Sequence, residues 1–319
     1  MWIMNLFEGN DRISTLIVAK SLNGLILLIL ATISMLFLSP LPYSGLYYVV
    51  NGFLVTECTV VGCSLLFDYL ATVESFQKYK IRKDHKSSDK LIERSIWERL
   101  ASYRTEWMLY TLTWVLSSMT FEDNPYPGIA TSMLEVMALC FFVDGYIFFA
   151  HLWMHSRQGY FVHKKHHSFQ FVNCWFVDHE SGMEAVLIAM GKHGALAYYS
   201  PHPQTALEYL FVNKLWNVMA HCGYNLPLFD FVEKYVPFMG TPNRHEQHHY
   251  HGDANLAIFT NIWDFLGGSL VWTDEDAIRW RREKHHKQRE GKGRIVWQLD
   301  PIANKKDDGK IKIDYSSSK

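Results

Sequence analysis

The sequence predicts an all-α integral membrane protein with about four transmembrane helices, paired as two hairpins. Three observations point there. The apolar residues, 49% of the chain, are concentrated in long runs. A block rich in lysine and arginine separates the second run from the third. Five histidines then follow the fourth run within seventeen positions, 151–167.

Residues 1–20 are mixed and lack a basic start with a small-residue cleavage site, so a removable signal peptide is not expected. Residues 21–39 are nineteen without a charge, closed by Pro40 and Pro42. That is long enough to cross a bilayer and more than twice a typical strand. Residues 45–71 form a second apolar run, interrupted by Glu57 and Asp68, and complete a hairpin. Glu57 reads either as an acid facing a substrate channel or as a residue near the headgroups of a tilted helix. The basic block, 77–104, belongs in the cytoplasm by the positive-inside rule. Residues 107–120 are apolar but short, and 128–150 deliver the chain into His151. Two crossings after the basic block return the histidines to the cytoplasmic side, and the same parity places the N-terminus there.

The histidine spacing carries the chemistry. His151 and His155 are four apart, one above the other on a helix. His163, His166 and His167 put imidazoles on one helical face, and the pattern recurs as His245, His248 and His249 in NRHEQHHYH. Imidazole is the commonest nitrogen ligand for zinc, copper, iron and nickel, so these positions are candidate metal ligands. Asp144 lies seven residues before His151, two helical turns away on the same face. It is expected at the site, serving a histidine from another helix or acting through water.

Between the second and third clusters, His179, Glu180 and Glu184 precede an apolar run that reads as a partly inserted helix. Residues 205–220 form another apolar stretch leading into HCGYNLP at 221–227, and 256–272 is the closing apolar segment. From residue 274 the chain is charged and turn-rich; His285 and His286 sit in its basic run, beside anionic lipid headgroups. His85, His193 and His202 lack partner spacing, and His251 is a neighbour of the third cluster. A net charge of −1 argues against a nucleic-acid partner. The five cysteines, odd in number and mostly inside apolar runs, read as buried free thiols.

The boxes HLWMH, HKKHH and HEQHH, with HCGYNLP before the last, resemble those of the membrane fatty acid hydroxylase/sterol desaturase superfamily. Within it the chain is most similar to sterol 4-alpha-methyl oxidases, which share an Asp seven before the first box, a closing Asn (Asn255) and a Trp-Asp pair (Trp263, Asp264). The likeness covers about 128–273. It implies a cytosol-facing helical cap over four membrane helices, holding two metal ions expected to be iron, with zinc possible in a purified form. Electrons would come from NAD(P)H through a separate b-type cytochrome or reductase, and the substrate would be a membrane lipid or sterol. The ligand role carries onto His151, His155, His163, His166, His167, His221, His245, His248 and His249. It extends to His179, with Glu184 as that residue's acidic partner; Asp144 and Glu184 are the expected catalytic carboxyls. The chain departs from the family at Arg244, where a His is usual, around His179, and at Gly267-Gly268-Ser269.

The resemblance thus implies a lipid monooxygenase acting on a sterol methyl group. The alternatives are a sterol or fatty-acyl desaturase of the same superfamily, and a non-catalytic metal-binding membrane subunit. Three regions are expected: 1–127 (membrane hairpin, basic loop and third apolar segment), 128–273 (catalytic) and 274–319 (cytosolic tail). The expected compartment is the endoplasmic reticulum membrane with the boxes facing the cytosol. Another organelle is left open because YSSSK lacks a dilysine signal.

Overall fold

A computed structural model describes residues 43–83, 107–119, 125–169, 171–252 and 254–289. The apolar run at 21–39, most of the basic block with His85, and the tail beyond 289 lie outside the described residues, as do the side chains of His285 and His286. All regular structure among the described residues is helical, apart from two isolated bridges, Lys80–Tyr224 and Met239–Thr260.

The second apolar run folds as α1, Tyr43–Leu70, and the fourth as α3, Ile129–Met154. Between them α2, Trp107–Leu116, is shorter. At 1.5 Å per residue α1 and α3 each approach about 40 Å, more than the ~30 Å apolar core of a bilayer. They are the two described helices long and apolar enough to cross a membrane. Gly128, at φ 87°, opens α3 in a conformation that suits glycine after Pro127. The outward face of α3 is bare: Leu134, Phe142 and Phe149 are 72%, 70% and 60% exposed. Leu54 and Leu66 are exposed on α1.

After the short α4 (Tyr160–His163) come helices α5 (Gly182–Tyr199) and α6 (Pro203–Ala220), joined by the short turn at 200–202; both pack on α3. Ser181 caps the start of α5 by accepting from the Glu184 amide. His202 does the same for α6, with Pro203 in the first turn where no amide donor is missed. Helix α6 is the centre of the molecule and packs against α1, α3 and α8. The core between them holds Tyr48, Phe53, Trp114, Cys140, Val143 and Tyr209. Glu57 is buried within this bundle and is not among the residues that line the cavity described below. All five cysteines are free; Cys140, Cys174 and Cys222 are buried, but Cys58 is exposed.

The remaining elements are α7 (Pro227–Tyr235), α8 (Pro242–His251), α9 (Ile262–Gly267) and α10 (Asp274–Arg289). The apolar stretch 256–272 is therefore an extended strap followed by the single turn and a half of α9. The strap is fastened to α3 by Asp144, which accepts the amides of Ile258, Phe259 and Thr260 at 3.0, 2.9 and 2.8 Å. Asp264 holds its other end through the amides of Leu256 and Ala257. Beside it Trp263 lies flat on Gly145, where a Cβ would stand 2.5 Å from the indole. These bonds set the third histidine cluster at a fixed height above α3.

Candidate metal centre

The last turn of α3 presents His151, and His155 caps its end. The chain then reverses tightly: a Cβ at Gly159 would meet the Trp153 carbonyl oxygen at 2.2 Å, so only glycine fits. That reversal brings α4 back alongside, with His163 at its end. The three histidines of the second box do not share one helical face, as expected from spacing. His166 and His167 occupy a 3-10 turn, His166–Ser168, with their rings 80° apart. His221 caps α6, and α8 supplies His245, His248 and His249.

Two sets result. His151, His155, His163, His167 and His248 bring one nitrogen each within 4.8 Å of one another; His166, His221, His245 and His249 do the same. All nine are buried. The nitrogens face each other: Nε2–Nε2 separations are 2.9 Å for His151–His163, 3.0 Å for His167–His248 and 3.0 Å for His221–His245. Two ligands at right angles, each about 2.1 Å from one ion, lie about 3 Å apart. The far nitrogens are tied outward. Nδ1 of His151 lies 2.6 Å from the Leu256 carbonyl, that of His221 2.8 Å from Asn217 O, and that of His248 2.9 Å from Ala254 O. A carbonyl accepts only N–H, so these rings carry the proton on Nδ1 and point a lone pair inward. Nε2 of His155 and Nδ1 of His166 are buried with no partner among the described residues. Either set can hold a metal ion.

Electrostatics agree. Burial, more than any other cause, keeps His155, His163, His166, His167, His245, His248 and His249 well below the usual imidazole value, and neighbouring rings add to it. Burial lowers His221 to about 4. A neutral imidazole is the ligating form. His163 Nδ1 is 2.6 Å from Glu184 Oε1. Burial, then the charge of Glu180, raises the Glu184 carboxyl to about 10. Both partners shift toward neutrality, so this contact is a hydrogen bond and not an ion pair.

Three expected site residues lie as follows. His179 joins neither set; its ring packs edge-on against Phe169 at 4.5 Å, and its backbone faces His166. Glu184 is the partner of His163, not of His179. Asp144 reaches no histidine: three amides and the Thr260 hydroxyl occupy both its oxygens. It fastens the strap whose Leu256 carbonyl faces His151. Arg244, where the family has a histidine, stacks on Trp272 at 3.6 Å and donates to Val271 O, outside both sets. Sequence reasoning missed Arg82, which grips Asp274 through two bonds of 2.6 and 2.9 Å and lies over Tyr250. Partners 192 positions apart leave no local signal.

Both sets open on one cavity between α3, α5, α6 and the strap. His151 and His163 of one set and His166, His221 and His245 of the other lie at its edge. Val143, Ile147, Ile188, Trp216 and Phe259 form its apolar wall, and Asp178, Lys192, Asn213 and Asn217 part of its polar wall.

This arrangement has a counterpart among known proteins. Residues 136–269, the stretch holding every one of these imidazoles, match the family model "Fatty acid hydroxylase". This stretch is similar to a fatty acid hydroxylase domain and makes up less than half of the chain. It is 23% identical to methylsterol monooxygenase 1-3 of Arabidopsis thaliana over 226 residues, 67% of this chain and 74% of that protein. It is 30% identical to a Delta(7)-sterol 5(6)-desaturase of Candida glabrata over 155 residues, 46% of this chain and 39% of the relative. It is 25% identical to the lathosterol oxidase of Homo sapiens, over 46% of this chain and 48% of the relative. Beyond the first, these matches span about half or less of the relatives' lengths. No solved structure gives a significant match. A fatty acid hydroxylase domain with such relatives points to an oxidoreductase.

Proposed function

We propose that the protein is an O2-dependent di-iron lipid monooxygenase that oxidises a methyl group of a sterol, with electrons from NAD(P)H delivered through a b-type cytochrome. The observation that carries this reading is two inward-facing sets of neutral imidazoles on one half-apolar cavity. Nine nitrogens and no thiolate exceed the four ligands of a structural zinc site. When bound, the ions supply the oxidising power for an unactivated C–H bond, which no protein group possesses.

The chain's own residues do the rest. Leu256 O, Ala254 O, Asn217 O and Glu184 hold the ligating tautomers. The apolar wall excludes water and keeps one carbon of the substrate near the ions, which is where positional catalysis lies. Residues 128–273 form the catalytic unit, whose histidine-bearing part after α3 is a cap on the cytosolic side of four membrane crossings in the endoplasmic reticulum. Two of those crossings are α1 and α3.

A second reading, a sterol desaturase, is favoured by the Candida glabrata and human relatives. The same sets would serve it. Membranes containing the protein, supplied with NADH, a reductase and heavy-oxygen dioxygen, separate the two. Label in a sterol that vanishes with His248→Ala establishes the monooxygenase. A product lighter by two hydrogens and free of label establishes the desaturase. An unchanged lipid pool overturns both.

A further inference from the structure

The strap is apolar, largely non-helical and fixed against the side of α3. Trp263 donates its indole N–H to the Phe141 carbonyl at 3.2 Å, and its ring centre lies 5.1 Å from that of Phe141 and 6.3 Å from that of Phe149. A Cβ at Gly267 would stand 2.5 Å from the Phe148 ring. Asp144 holds Ile258, Phe259 and Thr260 at the same level. That level has a depth. The ~30 Å apolar core of a bilayer takes up about 20 residues of a helix, and α3 has 26. Wherever the core lies within α3, residues 135–148 are inside it, and tilt only lengthens that stretch. Asp144, Gly145 and Phe148 all fall there.

The backbone agrees independently. Every amide from Leu256 to Asn261 is bonded within the protein: two to Asp264, three to Asp144, and that of Asn261 to Phe238 O at 2.6 Å. The Asn261 side chain donates to the carbonyls of Pro237 and Met239, which ties 237–239 to the strap. Irregular backbone survives in hydrocarbon only where protein groups satisfy it in this way. The side chains match. The only charge between residues 254 and 272 is Asp264, which is wholly buried. Phe265, Leu266 and Phe238 are 65%, 69% and 54% exposed.

We infer that the strap is immersed in the acyl region of the bilayer, in the leaflet next to the histidine boxes, with Phe238, Phe265 and Leu266 packed against lipid chains. The inference rests on the membrane reading above and goes beyond it. The occupant of this surface is lipid because the surface continues the exposed apolar face of α3, at a depth that a water-soluble partner does not reach. Ile258 and Phe259 line the cavity on the strap's other side. The strap is thus a wall one chain thick between the metal-bearing cavity and the bilayer.

The test uses the full chain in phosphatidylcholine nanodiscs, with trifluoromethyl-phenylalanine placed singly at four positions. Two are 238 and 265; the references are 142, on the exposed face of α3, and 275, exposed in the charged α10. Fluorine relaxation is read with dissolved oxygen, which concentrates among acyl chains, and with a gadolinium chelate, which stays in water. Oxygen is expected to outweigh the chelate at 238 and 265 as it does at 142, with the order reversed at 275. Chelate-dominated relaxation at 238 or 265, with 142 still oxygen-dominated, overturns the inference and leaves the membrane reading standing. Shielding of 238 and 265 from both agents also overturns it, since protein, a second copy included, would then cover the surface. Chelate-dominated relaxation at 142 overturns the membrane reading and this inference together. Metal content equal to wild type checks the fold of each labelled chain, and 266 takes the label if 265 fails that check.

Discussion

Replacing Asp144 by alanine is expected to unfasten the third histidine cluster from α3 without touching a single imidazole. The carboxylate accepts three backbone amides at 2.8–3.0 Å and the Thr260 hydroxyl at 3.1 Å, all at buried positions or close to them. Each buried donor left without a partner costs about 1–3 kcal/mol. Three amides therefore set a loss of about 3–6 kcal/mol, allowing for some entry of water. At about 2 °C per kcal/mol or more, the melting temperature of the purified protein falls by at least about 6 °C. The loss reaches the metal centre by a defined route. The strap held by Asp144 carries Leu256, whose carbonyl fixes the proton of His151 on Nδ1. Metal content measured by mass spectrometry should fall with stability, the five-nitrogen set suffering first. Asp144→Asn keeps one acceptor oxygen but turns an N–H toward an amide, and should lie between. A D144A protein that melts as wild type and retains its metal would refute the fastener role.

Three further predictions follow from the same geometry. His248→Ala removes a nitrogen that lies 3.0 Å from His167 Nε2; metal bound per chain should drop by about one ion, and sterol oxidation should disappear. Glu184→Gln preserves an acceptor for His163 but alters its basicity, so metal affinity should weaken by about 10- to 100-fold while the helical content read by circular dichroism is unchanged. The chelator-treated protein should be acid-sensitive. Burial lowers His221 from the usual 6.5 to about 4 in the folded state, so the unfolded chain takes up the proton first. The contribution of this ring is constant above pH 6.5 and is lost as pH falls toward 4, by about 3 kcal/mol. Melting curves at pH 7.5, 6.5 and 5.5 that coincide would contradict it.

The long apolar runs were readable because membrane-scale helices are specified by composition: runs at 45–71 and 128–150 became Tyr43–Leu70 and Ile129–Met154. The histidines were readable because a four-residue spacing brings rings together on any helix. His151 and His155 do meet, at 4.9 Å between ring centres. What spacing could not supply is the division of neighbours. His166 and His167 serve opposite sets because their turn is 3-10 and not α. The partners of Asp144 and Glu184 were illegible for another reason. Backbone amides 114–116 residues away, and an imidazole 21 residues before, leave no pattern in the chain. His179 looked like its neighbours in sequence and is set aside by tertiary packing. The histidines without partner spacing found ordinary work: His193 bonds Thr113, and His202 caps α6.

One helix closes both sets at once. α8 turns His248 toward the five-nitrogen set and His245 and His249 toward the four-nitrogen set. Both ions are therefore expected to load cooperatively, since seating the helix for one site completes the other. The order of synthesis sharpens this. His151 leaves the ribosome almost a hundred residues before His249, so α3 can form before the last nitrogens appear. On the proposed reading, metallation would then be the closing event of biogenesis. A cell short of metal would accumulate chains that are inserted and folded below the strap but open above it, each a marked target for membrane quality control.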